Sequence, residues 1–137
     1  MINIMTLNVE DYWDSAEVML KDAIEMSNGR HTLKSTYEKL KSGVMNLYGV
    51  FWGDMLLSYF VTTKVIYPAK TVLCILFCGG ENVIPHIKKI EDFFKREAIT
   101  GGCRGVEIIG RKGWAKVLRN NPELDFVEKG VFYEMDS

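Results

Sequence analysis

The sequence predicts an α/β (α+β) domain: a mixed, mainly antiparallel sheet with helices on both faces. Three observations carry this. Thr71–Cys78 is a fully apolar run, broken by Gly79-Gly80 and followed by an amphipathic stretch to about Ala98. Gly101-Gly102 then stops the chain before a second apolar run, Arg104–Ile109. Strand, glycine turn, helix and strand in that order make a βαβ unit. Val44–Trp52 and Met55–Tyr67, rich in β-branched and aromatic residues, flank Gly53-Asp54, the Gly-first pattern of a two-residue type II′ hairpin. Ahead of both lie two stretches with helical spacing of apolar residues.

In chain order, Asp11–Met26 places Trp13, Ala16, Leu20, Ala23 and Ile24 on one face, with Asp14, Glu17, Asp22 and Glu25 opposite. Asn28-Gly29 is a suitable helix stop. A second helix is expected over Thr32–Lys41, with Leu33, Tyr37 and Leu40 inward and Gly43 ending it. Ser35 and Glu38 have capping-box spacing but read as interior to it. Both hairpin strands carry apolar residues at successive positions, as expected for a sheet covered on both sides. The second is long for one strand, so a bulge is expected within it. Pro68-Ala69-Lys70 turns the chain into Thr71–Cys78. After Arg104–Ile109, Gly110-Arg111-Lys112-Gly113-Trp114 opens a short helix, with Trp114 reading as its core anchor. A last strand is expected from about Phe126 to Met135.

The 137 residues show no repeat, low-complexity segment or linker, so one domain over 1–137 is expected. A net charge of -1 argues against nucleic-acid binding as the main task. Lys64 and Lys70 keep the apolar middle short of the roughly 18 residues of a membrane span, so no membrane role is expected. Met1–Leu7 has no basic region before its apolar residues, so a signal peptide is not expected either. The three cysteines contain no C-x-x-C pair and read as buried thiols of a reducing cytosol, with Cys74 and Cys78 on one strand face. Neither His31 nor His86 sits in a ligand motif, so no metal is expected.

The element order, a three-stranded meander followed by helix, strand, short helix and last strand, resembles the GNAT superfamily of acyl-CoA-dependent N-acyltransferases over about Val44 to Met135. The two leading helices match that family's N-terminal pair. More narrowly, Phe77-Cys78-Gly79-Gly80-Glu81, the helix Ile84–Ala98, Gly102-Cys103-Arg104 and Gly110-Arg111-Lys112-Gly113-Trp114 are similar to small GNAT-like proteins of tailed phages and prophages. The resemblance implies a phage or prophage origin, and a location in the cytoplasm of an infected bacterial host or in a virion.

It also implies a site. Acetyl-CoA would run its arm along Phe77 and Cys78 and rest its pyrophosphate on Gly79, Gly80, Glu81, Asn82 and Val83, where unpaired amides and a helix N-terminus favour anions. Arg111, with Lys112, Lys116 and Arg119, forms a basic patch for a further phosphate, for an acidic partner such as the Asp11–Glu25 face of another copy, or simply for solvent. The loop departs from the family's spaced-glycine pattern. Its glycines are adjacent with no Arg or Gln before them, Glu81 adds negative charge, and Pro85 removes an N–H. That Gly79-Gly80 only turns the chain stays open beside the cofactor reading.

Glu107, among apolar strand neighbours, is the candidate general base, with a solvated or ion-paired carboxylate as the alternative. Leu118 or Arg119 falls where the family carries a tyrosine acid, and neither can donate a proton there. Water, Tyr59, Tyr67 or Tyr133 remain for that role. Two functions therefore stand: acetyl transfer to an unknown amine or protein, and an inactive fold serving as a phage virion, assembly or host-interaction protein. In the second, Tyr48, Phe51, Trp52, Tyr59 and Phe60 would supply a surface for phage structural proteins or a second copy.

Overall fold

The computed structural model describes residues 1–109, 112–127, 129, 130 and 135. Strand β1 (Ile2–Leu7) is followed by helices α1 (Val9–Glu25) and α2 (Leu33–Ser42), then strands β2 (Met45–Trp52), β3 (Met55–Ile66) and β4 (Thr71–Gly80). A 3₁₀ turn (Ile84–His86) leads into α3 (Ile87–Thr100), strand β5 (Val106–Ile108) and α4 (Lys112–Asn120). The sheet order is β1-β2-β3-β4-β5, with β1 to β4 antiparallel to their neighbours and β5 parallel to β4. This is the mixed, mainly antiparallel sheet that the sequence predicts.

Two apolar clusters, one on each face of the sheet, form the core. Ala16, Leu20, Ala23 and Ile24 of α1 and Leu40 of α2 pack on Leu47, Tyr59, Val61 and Phe77. On the other face Ile90, Phe94 and Ala98 of α3 pack on Tyr48, Val50, Phe60, Leu73 and Ile75. The local chemistry explains the helix ends. Asn8 Oδ1 accepts from the Glu10 amide at 2.9 Å, and Glu10 and Asp11 in the first turn complement the α1 dipole. For α2, Thr32 and Ser35 satisfy each other's amides reciprocally. The capping box thus begins at Thr32, with Ser35 as its N3 partner inside the helix, and not at Ser35. Gly43, at φ 85°, ends α2 in the left-handed region as expected.

Several elements depart from the sequence reading. The sequence reading assigned no element to Met1–Leu7, yet Ile2–Leu7 pairs with Leu47–Trp52 of β2. Ile2 and Ile4 pack on the α3-side cluster, an alternation too short to stand out in the sequence. The Gly79-Gly80 break does not exist: β4 runs through both glycines, which pair with Tyr59 and Ser58. The helix expected from Ile84 starts as a 3₁₀ turn around Pro85, and the Arg104–Ile109 run yields only three strand residues. Of the final strand expected over 126–135, residues 126, 127, 129 and 130 are not strand; 131–134 lie outside the described residues.

The expected bulge in β3 is present, and a second lies in β4. Between Val50↔Ser58 and Phe51↔Leu56 the register leaves Leu57 as the extra residue, and between Val61↔Phe77 and Thr62↔Ile75 it leaves Leu76. Because a bulge reverses the alternation of side chains, Leu76 and Phe77 both face α1 and α2, while Ile75 and Cys78 face α3. Cys74, between Leu73 and Ile75, therefore points away from the face that holds Cys78, correcting the single face expected for the two thiols.

Candidate functional site

The bulge at Leu76 coincides with the point where β4 parts from β5. Leu73, Cys74 and Ile75 pair with Val106, Glu107 and Ile108, and β5 ends there. Beyond Ile75 the described residues of β5 no longer follow β4, which runs on to Gly80. The strands thus form a fork with Ile75 and Ile108 at its vertex. An extended amide-containing chain could lie beside β4 where β5 has parted from it, the arrangement used in strand addition.

At the mouth of the fork, the Glu81 amide is already bonded to Leu57 O at 3.1 Å, and His86 N–H donates to Val83 O. The amides of Asn82, Val83 and Ile84 have no hydrogen-bond partner among the described residues. Three free amides ahead of α3, with Lys88 in its first turn, give the end of β4 a set of anion donors. The Glu81 side chain is exposed, and Asn82 adopts φ 60°, which bends the chain from strand into turn.

Of the expected cofactor residues, the fork gathers the main chain of Phe77, Cys78, Gly79 and Gly80, and the turn carries Glu81, Asn82 and Val83. Their side chains diverge: Phe77 is buried on the α1/α2 face, and Cys78 and Val83 pack on the α3 face. The glycines have a structural reason of their own. A Cβ on Gly79 would stand 2.0 Å from Met19 O in α1, and one on Gly80, at φ 134°, would stand 2.3 Å from Leu57 O. Close approach of α1 to β4 therefore requires Gly79 whatever binds nearby. Arg111 lies outside the described residues, as do Gly110 and Tyr133. Lys116 and Arg119 are exposed on α4.

Glu107 stands one residue before the vertex, opposite Cys74. It is half-buried, and its two carboxylate oxygens accept from the Tyr67 hydroxyl at 2.9 and 3.1 Å. That hydrogen bond to a carboxylate, with a smaller contribution from burial, raises the Tyr67 pKa, so the phenol remains a proton donor through neutral pH. Burial, and secondarily the Glu107 charge, pushes the Cys74 thiol up to about 11, which makes it an inert neighbour and no nucleophile. Tyr59, another candidate acid, is fully buried and donates to Ser15 Oγ at 2.9 Å.

The sequence named Tyr67 and Glu107 separately but gave no sign of their pairing. It depends on the β3–β4 turn, closed by Tyr67 N–H to Lys70 O, bringing Tyr67 beside β5. His31 was also passed over. It packs edge-on against Phe77 with ring centroids 5.2 Å apart, and its buried Nδ1 has no hydrogen-bond partner among the described residues. Desolvation, then Lys39 and Arg30, lowers its pKa. The aromatic surface expected on the meander is mostly interior: Tyr48, Tyr59 and Phe60 are core residues, and only Trp52, at 48% exposure, is open to solvent.

On the α3 face the vertex is closed by apolar side chains. Ile75, Ile108, Phe94, Trp114, Leu124 and Phe126 surround a residual cavity of about 10 Å³. A larger cavity, about 260 Å³, lies further along between α3, the start of β5 and residues Asp125 and Phe126. Among the described residues no group of three or more His, Cys, Asp and Glu side chains is placed to hold a metal ion, and no helix is long and apolar enough to cross a membrane.

No family model and no curated protein sequence matches the chain. Solved structures do match. A ribosomal-protein-alanine N-acetyltransferase from Brucella melitensis biovar Abortus 2308 superposes with a TM-score of 0.69 at 10% identity, over 100% of this chain and 99% of that one. A predicted acetyltransferase with acetyl-CoA from Clostridium acetobutylicum gives 0.67 at 12% identity, over 99% and 96%. A transcriptional regulator from Bacillus halodurans C-125 gives 0.69 at 13% identity, over the whole of both chains. The chain has the GNAT-like acetyltransferase fold, and at such identities the likeness extends to the fold alone.

Proposed function

We propose that this protein is an N-acyltransferase that moves an acetyl group from acetyl-CoA to the amine of a small molecule or protein. The observation that carries the proposal is the fork: β5 parts from β4 after Ile75 while β4 runs on to Gly80, and the vertex lies one residue from a half-buried carboxylate, Glu107. The residues fit the cofactor. The β4 main chain beyond the vertex suits the amides of the pantetheine arm, and the free amides of Asn82, Val83 and Ile84 suit its pyrophosphate. Arg111, Lys116 and Arg119 would take a further phosphate. Bound acetyl-CoA supplies an activated acyl group.

An amine arrives as ammonium and attacks only after losing a proton. In this reading Glu107 takes that proton, while Tyr67 O–H holds the carboxylate in place and keeps one donor close to the reacting centre. The test is calorimetric titration of the protein with acetyl-CoA, followed by turnover with a panel of amines. Glu107→Gln should lower turnover about 10²-fold with affinity for acetyl-CoA nearly unchanged. An unaffected rate would remove Glu107 from the mechanism.

A second reading is favoured by the apolar closure of the vertex by Trp114, Leu124 and Phe126. In it the fold is catalytically silent and serves a phage as a virion, assembly or host-interaction protein, acting in the infected cell or travelling in the particle. Absence of heat and of any thermal shift with millimolar acetyl-CoA would favour this reading over the first.

A further inference from the structure

Residues 121–127 follow α4 and lie across α3, fastened by one short polar network. The Asp125 amide donates to Glu91 Oε2 at 2.9 Å, and Glu91, only 4% exposed, also accepts from Lys88 Nζ at 3.0 Å. The Asp125 carboxylate is bonded to Lys95 Nζ and lies 3.8 Å from Lys88 Nζ. Leu124 and Phe126, on either side of Asp125, point into the cavity at the vertex of the fork beside Trp114. The segment thus holds its apolar side chains where β4 and β5 part, through a latch of solvent-accessible Lys88, Lys95 and Asp125 set on the buried Glu91 carboxylate.

Lys88 belongs to two sites at once. It lies in the first turn of α3, a few residues after the free amides of Asn82, Val83 and Ile84, and it is one of the two cations that hold Asp125, its Nζ also pairing with Glu91 at 3.0 Å and Asp92 at 3.3 Å. Resting on the acyl-CoA reading above, we propose that residues 121–127 form an autoinhibitory strap. A phosphate of the incoming acyl-CoA competes with Asp125 for Lys88, loosens the latch, and lets Leu124 and Phe126 withdraw from the vertex. By linkage, whatever opens the strap tightens binding.

The experiment measures coenzyme A affinity by calorimetry, and hydrogen exchange at the Leu124, Asp125 and Phe126 amides, for the wild type, Asp125→Asn and Lys95→Gln. Asp125→Asn removes the charge but keeps the amide that bonds Glu91. Lys95→Gln weakens the latch from a residue two turns away from the anion donors. Both variants should exchange faster at the strap and bind coenzyme A about 1.5- to five-fold tighter, the range expected for breaking exposed ion pairs. In the wild type, saturating coenzyme A should itself speed exchange at those amides. Equal affinity in all three proteins, or slower strap exchange on binding, overturns the strap and leaves the acyl-CoA reading standing. Absence of coenzyme A binding in every protein, opened strap included, overturns both.

Discussion

Gly79→Ala separates a packing glycine from a ligand-binding one. The added Cβ would meet Met19 O at 2.0 Å and Met19 C at 2.7 Å, both in the backbone of α1 and unable to swing aside. Opening the first contact to the 3.0 Å minimum of real Cβ contacts moves α1 off the sheet by about 1 Å. A gap of that size forfeits about a quarter to a half of the dispersion between the facing surfaces. Leu20 and Ile24, both fully buried, bring about 5 kcal/mol of apolar burial to that interface, so the loss there is about 1–2.5 kcal/mol. Residual overpacking adds about 1–3 kcal/mol, for a total near 3 kcal/mol. Urea unfolding followed by circular dichroism reads this directly. Gly105→Ala is the matched control, because its Cβ would meet nothing within 4 Å, and it should change stability by less than about 1 kcal/mol. If Gly79→Ala is as mild as Gly105→Ala but abolishes acetyl-CoA binding, the packing account is wrong and the glycine serves the ligand.

Three further perturbations test the site and its supports. Tyr67→Phe removes the hydroxyl held by Glu107 and should lower turnover about ten-fold or more while leaving the urea midpoint unchanged, Tyr67 being exposed; equal turnover would reduce the pair to a surface contact. Glu91→Ala strips the buried acceptor from the Asp125 amide and from Lys88, which can return to water, so the cost is about 1–3 kcal/mol with faster exchange confined to residues 121–127. His31 is held below its ordinary pKa, so the unfolded chain takes up the proton first. Its contribution is complete above pH 6.5 and is lost as pH falls from there toward the lowered value. The stability difference between wild type and His31→Leu should therefore shrink or reverse from pH 7.5 to pH 5; a pH-independent difference refutes the burial account.

The sequence conveyed the layers of this fold better than its junctions. The α1 and α3 stripes, the Gly53-Asp54 hairpin and the bulge in β3 were all legible, because each is written in local periodicity or in a turn residue with one use. Gly79-Gly80 was misleading for the opposite reason. Paired glycines after an apolar run have the composition of a turn, and only the position of Met19, some 60 residues earlier, shows that the first of them admits a helix backbone. The Cys74 and Cys78 faces failed on one inserted residue, Leu76, since a single-residue slip exchanges every later side chain between the two cores. The latch at Asp125 was out of reach because it joins α3 to a segment 30 residues further on through charges that look solvated in the sequence.

These junctions make the candidate site inseparable from the fold. The bulge that turns Phe77 into the α1/α2 core also begins the part of β4 that β5 leaves unpaired, and Gly79, within that part, is where α1 presses closest. Side chains on this half of β4 are committed to packing on both faces, which leaves recognition of a ligand to the main chain. An edge recognises amides in sequence without reading the side chains around it. The loss of spaced glycines before α3 is therefore compatible with binding along β4, and the loss of a tyrosine on α4 bears only on proton transfer. On the strap proposal, what limits occupancy of this fork is its apolar closure by Trp114, Leu124 and Phe126, of which the last two flank Asp125 and are held through its ion pairs with Lys95 and Lys88 of α3.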